Sequence, residues 1–322
     1  MRKFSLIATV VVLLASVACV SKTQAQSPYA VTKDSRWTVE FGAKAYDRLG
    51  SELGLPLITD GITNDTLFDS EQASELGSTV GAEIKFGYVS KSGREFEIRT
   101  IIADWDQSHE VTGANLESPF FTTPGSEPTT VNYDYDSDYF SIEVMQRRAL
   151  SPGITFMFGP RFISTKDKVE FAGSLQVSPG GGAPFLFTQT ETTEATNALI
   201  GLQAGLEFNV PVTQDIYVNS FIRTGGYMNP TEVITSVRNN VSGLVGAEQR
   251  QTKSTGSFLA EVGGRLYVDI VPNAMSTYVG YEATWIDGLA VAPDQILNTS
   301  GGIETANTPF FHAVTFGLNF SY

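Results

Sequence analysis

The chain has 322 residues and a formal net charge of −14, with 21 Lys+Arg against 35 Asp+Glu, and a single cysteine, Cys19. The acidic balance excludes nucleic-acid binding, which needs a basic surface, and one cysteine excludes a disulfide framework. The composition is rich in glycine and aromatics and low in charge without being that of a disordered chain, and the length suits one barrel or two small domains.

Arg2 and Lys3 precede an apolar run over residues 4–20, and Thr23-Gln24-Ala25 follows with small residues. These are the three parts of an export signal cleaved before Gln26. The apolar run is marginal for spanning a bilayer. A second reading of the leader takes Ser16-Val17-Ala18-Cys19 as a lipoprotein box and lipidates Cys19, although Ser stands where Leu is usual. No other run is long or apolar enough for a membrane helix. An exported chain of this kind becomes integral to a membrane by closing a barrel, in which every backbone group is paired. The expected organisation is a signal peptide at 1–25, a short periplasmic segment at 26–35 and a barrel over 36–322.

From residue 36 onward the apolar period is two, the signature of strands. The first segment, 36–46, carries Trp37, Val39, Phe41, Ala43 and Ala45 on one face. The second, 78–89, carries Val80, Ala82, Ile84, Phe86 and Tyr88, and the third, 94–105, carries Phe96, Ile98, Thr100 and Ile102. In the fourth, 131–147, Phe140, Ile142 and Val144 share a parity while Tyr133 and Tyr135 take the other. That change predicts a bulge or a strand that leaves the membrane. The fifth, 154–164, shows Phe156, Phe158, Pro160 and Phe162; the sixth, 198–210, is the clearest, with Ile200, Leu202, Leu206 and Phe208. The seventh, 216–224, is ambiguous at Phe221 and Ile222. The eighth (258–270), the ninth (277–285) and a closing strand (309–322) with Phe310, His312, Val314, Phe316, Leu318, Phe320 and Tyr322 on one parity complete the set.

The connections sort by length. Those at 90–93, 149–153, 211–215 and 271–275 are tight and rich in turn residues; those at 47–77, 106–130, 165–194, 229–255 and 287–308 are long. Strict alternation of short and long predicts an all-β, transmembrane, antiparallel up-and-down β-barrel with short periplasmic turns and long outer loops. About ten strands are expected, or twelve if a long loop hides a hairpin. A turn or two of helix is expected at 69–76.

If the apolar parity faces lipid, the other lines a lumen, and there the charges collect: Glu40, Lys44, Glu83, Lys85, Glu95, Glu97, Arg99, Glu143, Arg147, Arg161, Glu207, Arg223, Glu261, Arg265 and Glu282. Near-equal acids and bases predict mutual pairing. Small barrels fill with side chains, and wide aqueous channels belong to barrels of roughly sixteen strands or more, so a charge-filled lumen is the leading expectation and a narrow path for small solutes or ions the alternative. Trp37, Tyr46, Tyr88, Trp105, Tyr227, Tyr281 and Trp285 are expected in belts at the membrane interfaces.

Chemistry is sparse. Asp104, Asp106, His109 and Glu110 at the base of an outer loop make an acid/base cluster, which a ten-stranded barrel protease offers by analogy; a solvated loop is the simpler reading, and no Ser-His-Asp pattern or zinc spacing is present. Asp134, Asp136 and Asp138 share one side of a strand and form a weak calcium candidate without the glycine and distal glutamate of a calcium loop. The glycines at 180–182 read as a loop tip. No cofactor is expected.

The stretch Asn197-Ala-Leu-Ile-Gly-Leu-Gln-Ala-Gly-Leu206 resembles the "N-x-L-x-G-x-Q-x-G" strand of a large planctomycete outer-membrane β-barrel family. Gly280-Tyr-Glu-Ala-Thr-Trp285 and Val291-Ala-Pro-Asp-Gln-Ile296 resemble its "G-Y … R-P-x-D-Q-I" segment, with Ala292 where that family often has Arg, and Gly159-Pro-Arg-Phe162 fits its middle. The likeness covers mainly residues 159–322. It implies an outer-membrane barrel of unassigned activity and supplies no catalytic residues. The expected protein is a non-catalytic surface or envelope component, with a porin-like channel, or an adhesin or surface enzyme on the outer loops, as alternatives. Its expected partners are outer-membrane lipid and, through the C-terminal strand, the barrel-assembly machinery.

Overall fold

The computed structural model describes residues 36–49, 56–60, 62–69, 72–73, 77–90, 94–113, 116–117, 130–177, 185–241, 243–244, 248–296, 302–305 and 308–322. The expected leader, the segment 26–35, Cys19 and the glycine tip at 180–182 lie outside the described residues. The alternating segments form ten long strands: β1 (Arg36–Leu49), β2 (Gly77–Val89), β3 (Glu95–Thr112), β4 (Thr130–Ser151), β5 (Ile154–Val177), β6 (Phe185–Pro211), β7 (Ile216–Asn239), β8 (Gln249–Val271), β9 (Met275–Asp287) and β10 (Phe310–Ser321). Each pairs antiparallel with the next, and β1 pairs with β10 from Thr38 opposite Ser321 to Leu49 opposite Phe310. Backbone hydrogen bonds between Trp37 and Tyr322 extend that seam to the last residue. Closure removes the free edges that an open sheet would present to hydrocarbon, and the result is a ten-stranded transmembrane β-barrel.

The hairpin concealed in the first long connection does not add strands to the barrel. Pro56–Asp60, Thr66–Asp69 and Leu116–Glu117 form a separate three-stranded sheet at the barrel mouth. Of the helix expected at 69–76, Asp69 ends a strand, Gln72 and Ala73 are helical, and the other residues lie outside the described ones.

Alternation sorts the two faces of every strand. Leu202 is 55% exposed on the outside, whereas its neighbour Gln203 is 1% exposed on the inside. In β7 the ambiguity resolves with Ile222 outward and Phe221 buried inward. In β4 there is no bulge at the parity change: pairing with β3 runs unbroken from Glu95 opposite Arg147 to Thr112 opposite Thr130. Instead the meaning of the outer face changes. Phe140, Ile142 and Val144 point outward below, and Asp134, Asp136 and Asp138 point outward above, while Tyr133 and Tyr135 stay buried inside. This is a strand that outruns the membrane.

The same event recurs around the barrel. Strands β4 to β8 have 22 to 27 residues, whereas β1, β2, β9 and β10 have 12 to 14. The expected long loops at 165–194 and 229–255 are therefore largely strand, and that at 106–130 is strand as far as Thr112. Above the apolar band both faces meet water or protein, so hydrophobic alternation fades while backbone pairing continues. On β6 the apolar outer face spans residues 198–210, which at ~3.3 Å per residue and a tilt of roughly 45° rises about 30 Å, close to the height of a membrane band.

Three expected belt residues are corrected. Tyr46, Trp105 and Tyr227 lie on the inward parity and are buried, with Tyr46 packed edge-on against Trp105 at 5.7 Å. Outward rings do mark both ends of the band: Trp37 with Tyr88 at 4.5 Å near the short turns, and Trp285 with Phe310 at 4.6 Å towards the other end. His312 is outward beside them, 3.5 Å from Asp47.

Leu202→Arg, in the band, is expected to cost roughly 2–4 kcal/mol, whereas Thr192→Arg, on the same strand and face but above the band, should cost close to nothing. Denaturant titration of protein folded in vesicles measures both, and equal costs would show that the band has been drawn at the wrong height.

Candidate functional site

Strands β1 to β9 each send charged side chains inward from the lumen parity. Near the short turns Arg147 meets Glu95 at 2.8 Å, Glu97 at 2.6 Å and Glu207 at 2.5 Å, and Asn209 donates to Glu207. At mid-height Glu261 lies 2.8 Å from Arg99, 2.9 Å from Arg161 and 3.1 Å from Arg223, while Glu143 is 2.6 Å from Arg99 and 3.2 Å from Arg223. Gln203 donates to Glu143 and Tyr227 donates to Gln203. Towards β1, Lys44 bridges Glu83 and Glu282, Arg265 gathers Glu40, Glu83 and Glu282, and Lys85 closes on Glu40 at 3.0 Å. Thus all fifteen lumen charges named from the sequence lie in one connected interior.

Two further members escaped the sequence reading. Arg48 and Asp167 form a two-pronged pair at 3.0 Å, with Ser137 accepting from Arg48 and donating to Asp167. Both sit beyond the segments read as strands, at 36–46 and 154–164; carrying the parity onward would have placed each inside. Counting them, nine acids face eight bases from the strand walls of the lumen among the described residues. The chain's charge of −14 therefore resides almost wholly elsewhere.

Above the charges the lumen turns aromatic, with Tyr46, Trp105, Tyr139 and Phe311 in contact. Two connections fold into the mouth. The hairpin of residues 56–69 buries Leu57, Ile58 and Phe68 against Tyr133 and Phe171. From the other side the segment 288–296, with the short helix α1 (Ala292–Ile296), buries Leu289, Ala290 and Val291. Asn197 both donates to the Ala290 carbonyl at 2.7 Å and accepts from its amide at 3.0 Å, and Asn229 donates to the Gly288 carbonyl at 2.9 Å. Between the charges and the aromatic layer lies a void of about 10 Å³, bordered by Lys44, Arg161, Glu261, Glu282 and Trp105, at the lower limit for one water molecule.

The expected acid/base cluster does not assemble. Asp104, Asp106 and Glu110 point outward on β3, whereas His109 points inward and stacks on Phe68 at 4.9 Å. Alternation separates the histidine from its acids. Nor do Asp134, Asp136 and Asp138 converge on an ion: side chains two apart on a strand stand about 7 Å from one another, too far to share a cation with oxygens at roughly 2.3–2.6 Å. Among the described residues no group of three or more His, Cys, Asp or Glu side chains is placed to hold a metal ion.

No family model and no curated protein sequence matches this chain. Among solved structures it is similar to the outer membrane protease OmpT from Escherichia coli, at 8% identity over 94% of this chain and 99% of that one, with a TM-score of 0.45. It is also similar to the translocator domain of the autotransporter NalP from Neisseria meningitidis (9% identity, 90% and 89% covered, TM-score 0.37) and to the attachment invasion locus protein Ail of Yersinia pestis (9%, 90% and 99%, 0.29). At these values the likeness is one of general shape, and no function passes through it.

Two outcomes test the interior. Glu261→Gln leaves three guanidinium groups facing a neutral partner and is expected to cost about 3–5 kcal/mol, whereas Glu232→Gln, which breaks an exposed pair with Arg250, should cost less than about 1 kcal/mol; unfolding midpoints in urea compare them. Higher up, outside the band, half-buried Glu191 lies between Phe171 and Val237 of the adjacent strands, and burial pushes its carboxyl up to about 7. Ionisation then works against the folded state, so stability is lost as pH rises from 4.5 to about 7. Glu191→Gln should remove that part of the pH–stability profile, and an unaltered profile would clear Glu191 of the effect.

Proposed function

We propose that this chain is an integral outer-membrane protein with a closed lumen, serving as a surface or envelope component and neither conducting solutes nor carrying out catalysis. One observation carries the reading: the interior is occupied from the short turns to the mouth, first by paired charges and then by aromatic rings and two infolded connections. A conduit needs a continuous wet path, and the void beside Lys44 and Trp105 has room for about one water. The apolar band with aromatic rings at both ends supports lipid as the solvent of the outer face. The export-signal pattern over residues 1–25 and an aromatic closing strand support delivery to the outer membrane and recognition by the barrel-assembly machinery.

The height of β3 to β8 favours a role in surface display. Their outward residues above the band, among them Asp106, Asp136, Lys168 and Glu194, form a charged wall on the extracellular side. Recording from refolded protein in a planar bilayer is expected to give a flat trace. Reproducible conductance steps from properly folded barrels would replace this reading with the narrow-channel one.

A further inference from the structure

Two of the long strands run past a neighbour and keep only one pairing partner. β3 pairs with β2 as far as Ile102 opposite Ala82, yet continues along β4 to Thr112 opposite Thr130. β8 leaves β9 at Phe258 opposite Asp287, yet continues along β7 to Gln249 opposite Thr235. Ile102 and Phe258 are the last outward apolar side chains of their strands. Pairing is thus complete within the band, where an open edge could not stand, and lapses on one side above it. Each lapse leaves a row of N–H and C=O groups turned away from the sheet, which is a template for another extended chain.

The two edges differ. That of β8 is backed by the infolded connection: Lys253 donates to the Ile303 carbonyl at 2.9 Å and Ser257 to the Gly288 carbonyl at 3.2 Å. That of β3 has no such backing among the described residues. Between Ala103 and Thr112 it holds neither Pro nor Lys, its ladder to β4 has no bulge, and the small sheet at the mouth pairs only within itself. Ser108, His109, Glu110 and Thr112 are exposed. On the inward side of the same edge the Gln107 Oε1 is enclosed, and no hydrogen-bond donor reaches it among the described residues. A buried acceptor left in that state is costly, and a strand laid beside β3 brings a side chain next to it.

Charge selects the occupant. Asp106 and Glu110 point outward along the edge, and Asp136 stands opposite Asp106 on β4. A second copy of β3 would set acid against acid, which opposes pairing, whereas opposite charges across a ladder favour it. We propose that the edge of β3 from Trp105 to Thr112 docks an extended basic peptide as an added strand. Lys or Arg at every second position lies beside Asp106 and Glu110, and a hydroxyl or amide side chain of the intervening set faces Gln107. The site rests on the outer-membrane reading above, which puts this edge on the water side of the band.

The probe is a fluorescent peptide of about eight residues alternating Lys with Thr, compared with a counterpart that has Glu for Lys. Full-length protein is folded into phosphatidylcholine vesicles, which carry no net charge, and binding is read by polarisation. Wild type is expected to prefer the lysine peptide by about tenfold, the scale of two or three cross-strand charge pairs. Asp106→Lys with Glu110→Lys should invert the preference. Methylating either the Lys or the Thr amide nitrogens blocks opposite edges of the peptide, so one methylated form should lose binding and the other keep it. Equal binding of both forms would overturn the proposal by showing charge attraction without pairing. An unchanged preference in the double variant would overturn it too, as would a disulfide forming between copies that carry Ser108→Cys, which assigns the edge to a second copy. Inserted wild type that binds no peptide sinks the docking edge alone; wild type that stays in solution without detergent sinks the outer-membrane reading with it.

Discussion

The rest of this structure depends on the need to neutralise every charge enclosed by a ten-stranded wall. Burying an ion without a partner costs several kcal/mol even after relaxation, and the interior leaves little space for water to help. The solution is shared contacts. Glu261 answers Arg99, Arg161 and Arg223 at once, and Arg265 gathers three glutamates contributed by β1, β2 and β9. Such sharing also fixes register. Sliding any strand by one residue would turn its inward charges out to the apolar band and its apolar residues in, so the lumen specifies the pairing as firmly as the outer face does. The closing strand sends no charge inward. It offers Thr315 and Gly317, and the room left at Gly317 and at Gly42 of β1 is taken by the Tyr278 ring, whose hydroxyl a Cβ on Gly42 would meet at 2.2 Å.

Much of the barrel was legible because one parity decides both faces at once. Strand number, closure, and the lumen placement of residues such as Arg99 and Glu143 follow from alternation and from charge segregating away from the apolar side. What was not legible lies where that signal stops. β3, β5 and β7 run on for many residues after their outer faces turn polar, and nothing in a period-two hydropathy reading distinguishes a polar strand from a loop there. Arg48 and Asp167 fall in such stretches, and Tyr46, Trp105 and Tyr227 lie near strand ends, as belt residues do, but follow their parity to the inside. Parity was the better guide in all three.

The stretch from Asn197 to Leu206 acquires a physical meaning in the fold. Asn197, Leu199, Gly201, Gln203 and Gly205 lie on the inward parity of β6. Asn197 clamps the infolded segment through both backbone groups of Ala290, and Gln203 ties Glu143 to Arg161 and Tyr227. Gly201 and Gly205 leave room for Tyr227 and Arg223 on the next strand. The segment 291–296 is part of the piece that enters the mouth. These two stretches thus pack the interior and stopper its mouth.

The unequal strands have a geometric consequence. Six neighbouring strands, β3 to β8, rise well beyond the four formed by β9, β10, β1 and β2, so the rim is cut on a slant. A molecule with such a rim has a windward and a leeward side in the plane of the bilayer. The described strands thus give the barrel a tall flank and a low one, and a flat body laid across the rim would meet the tall flank first.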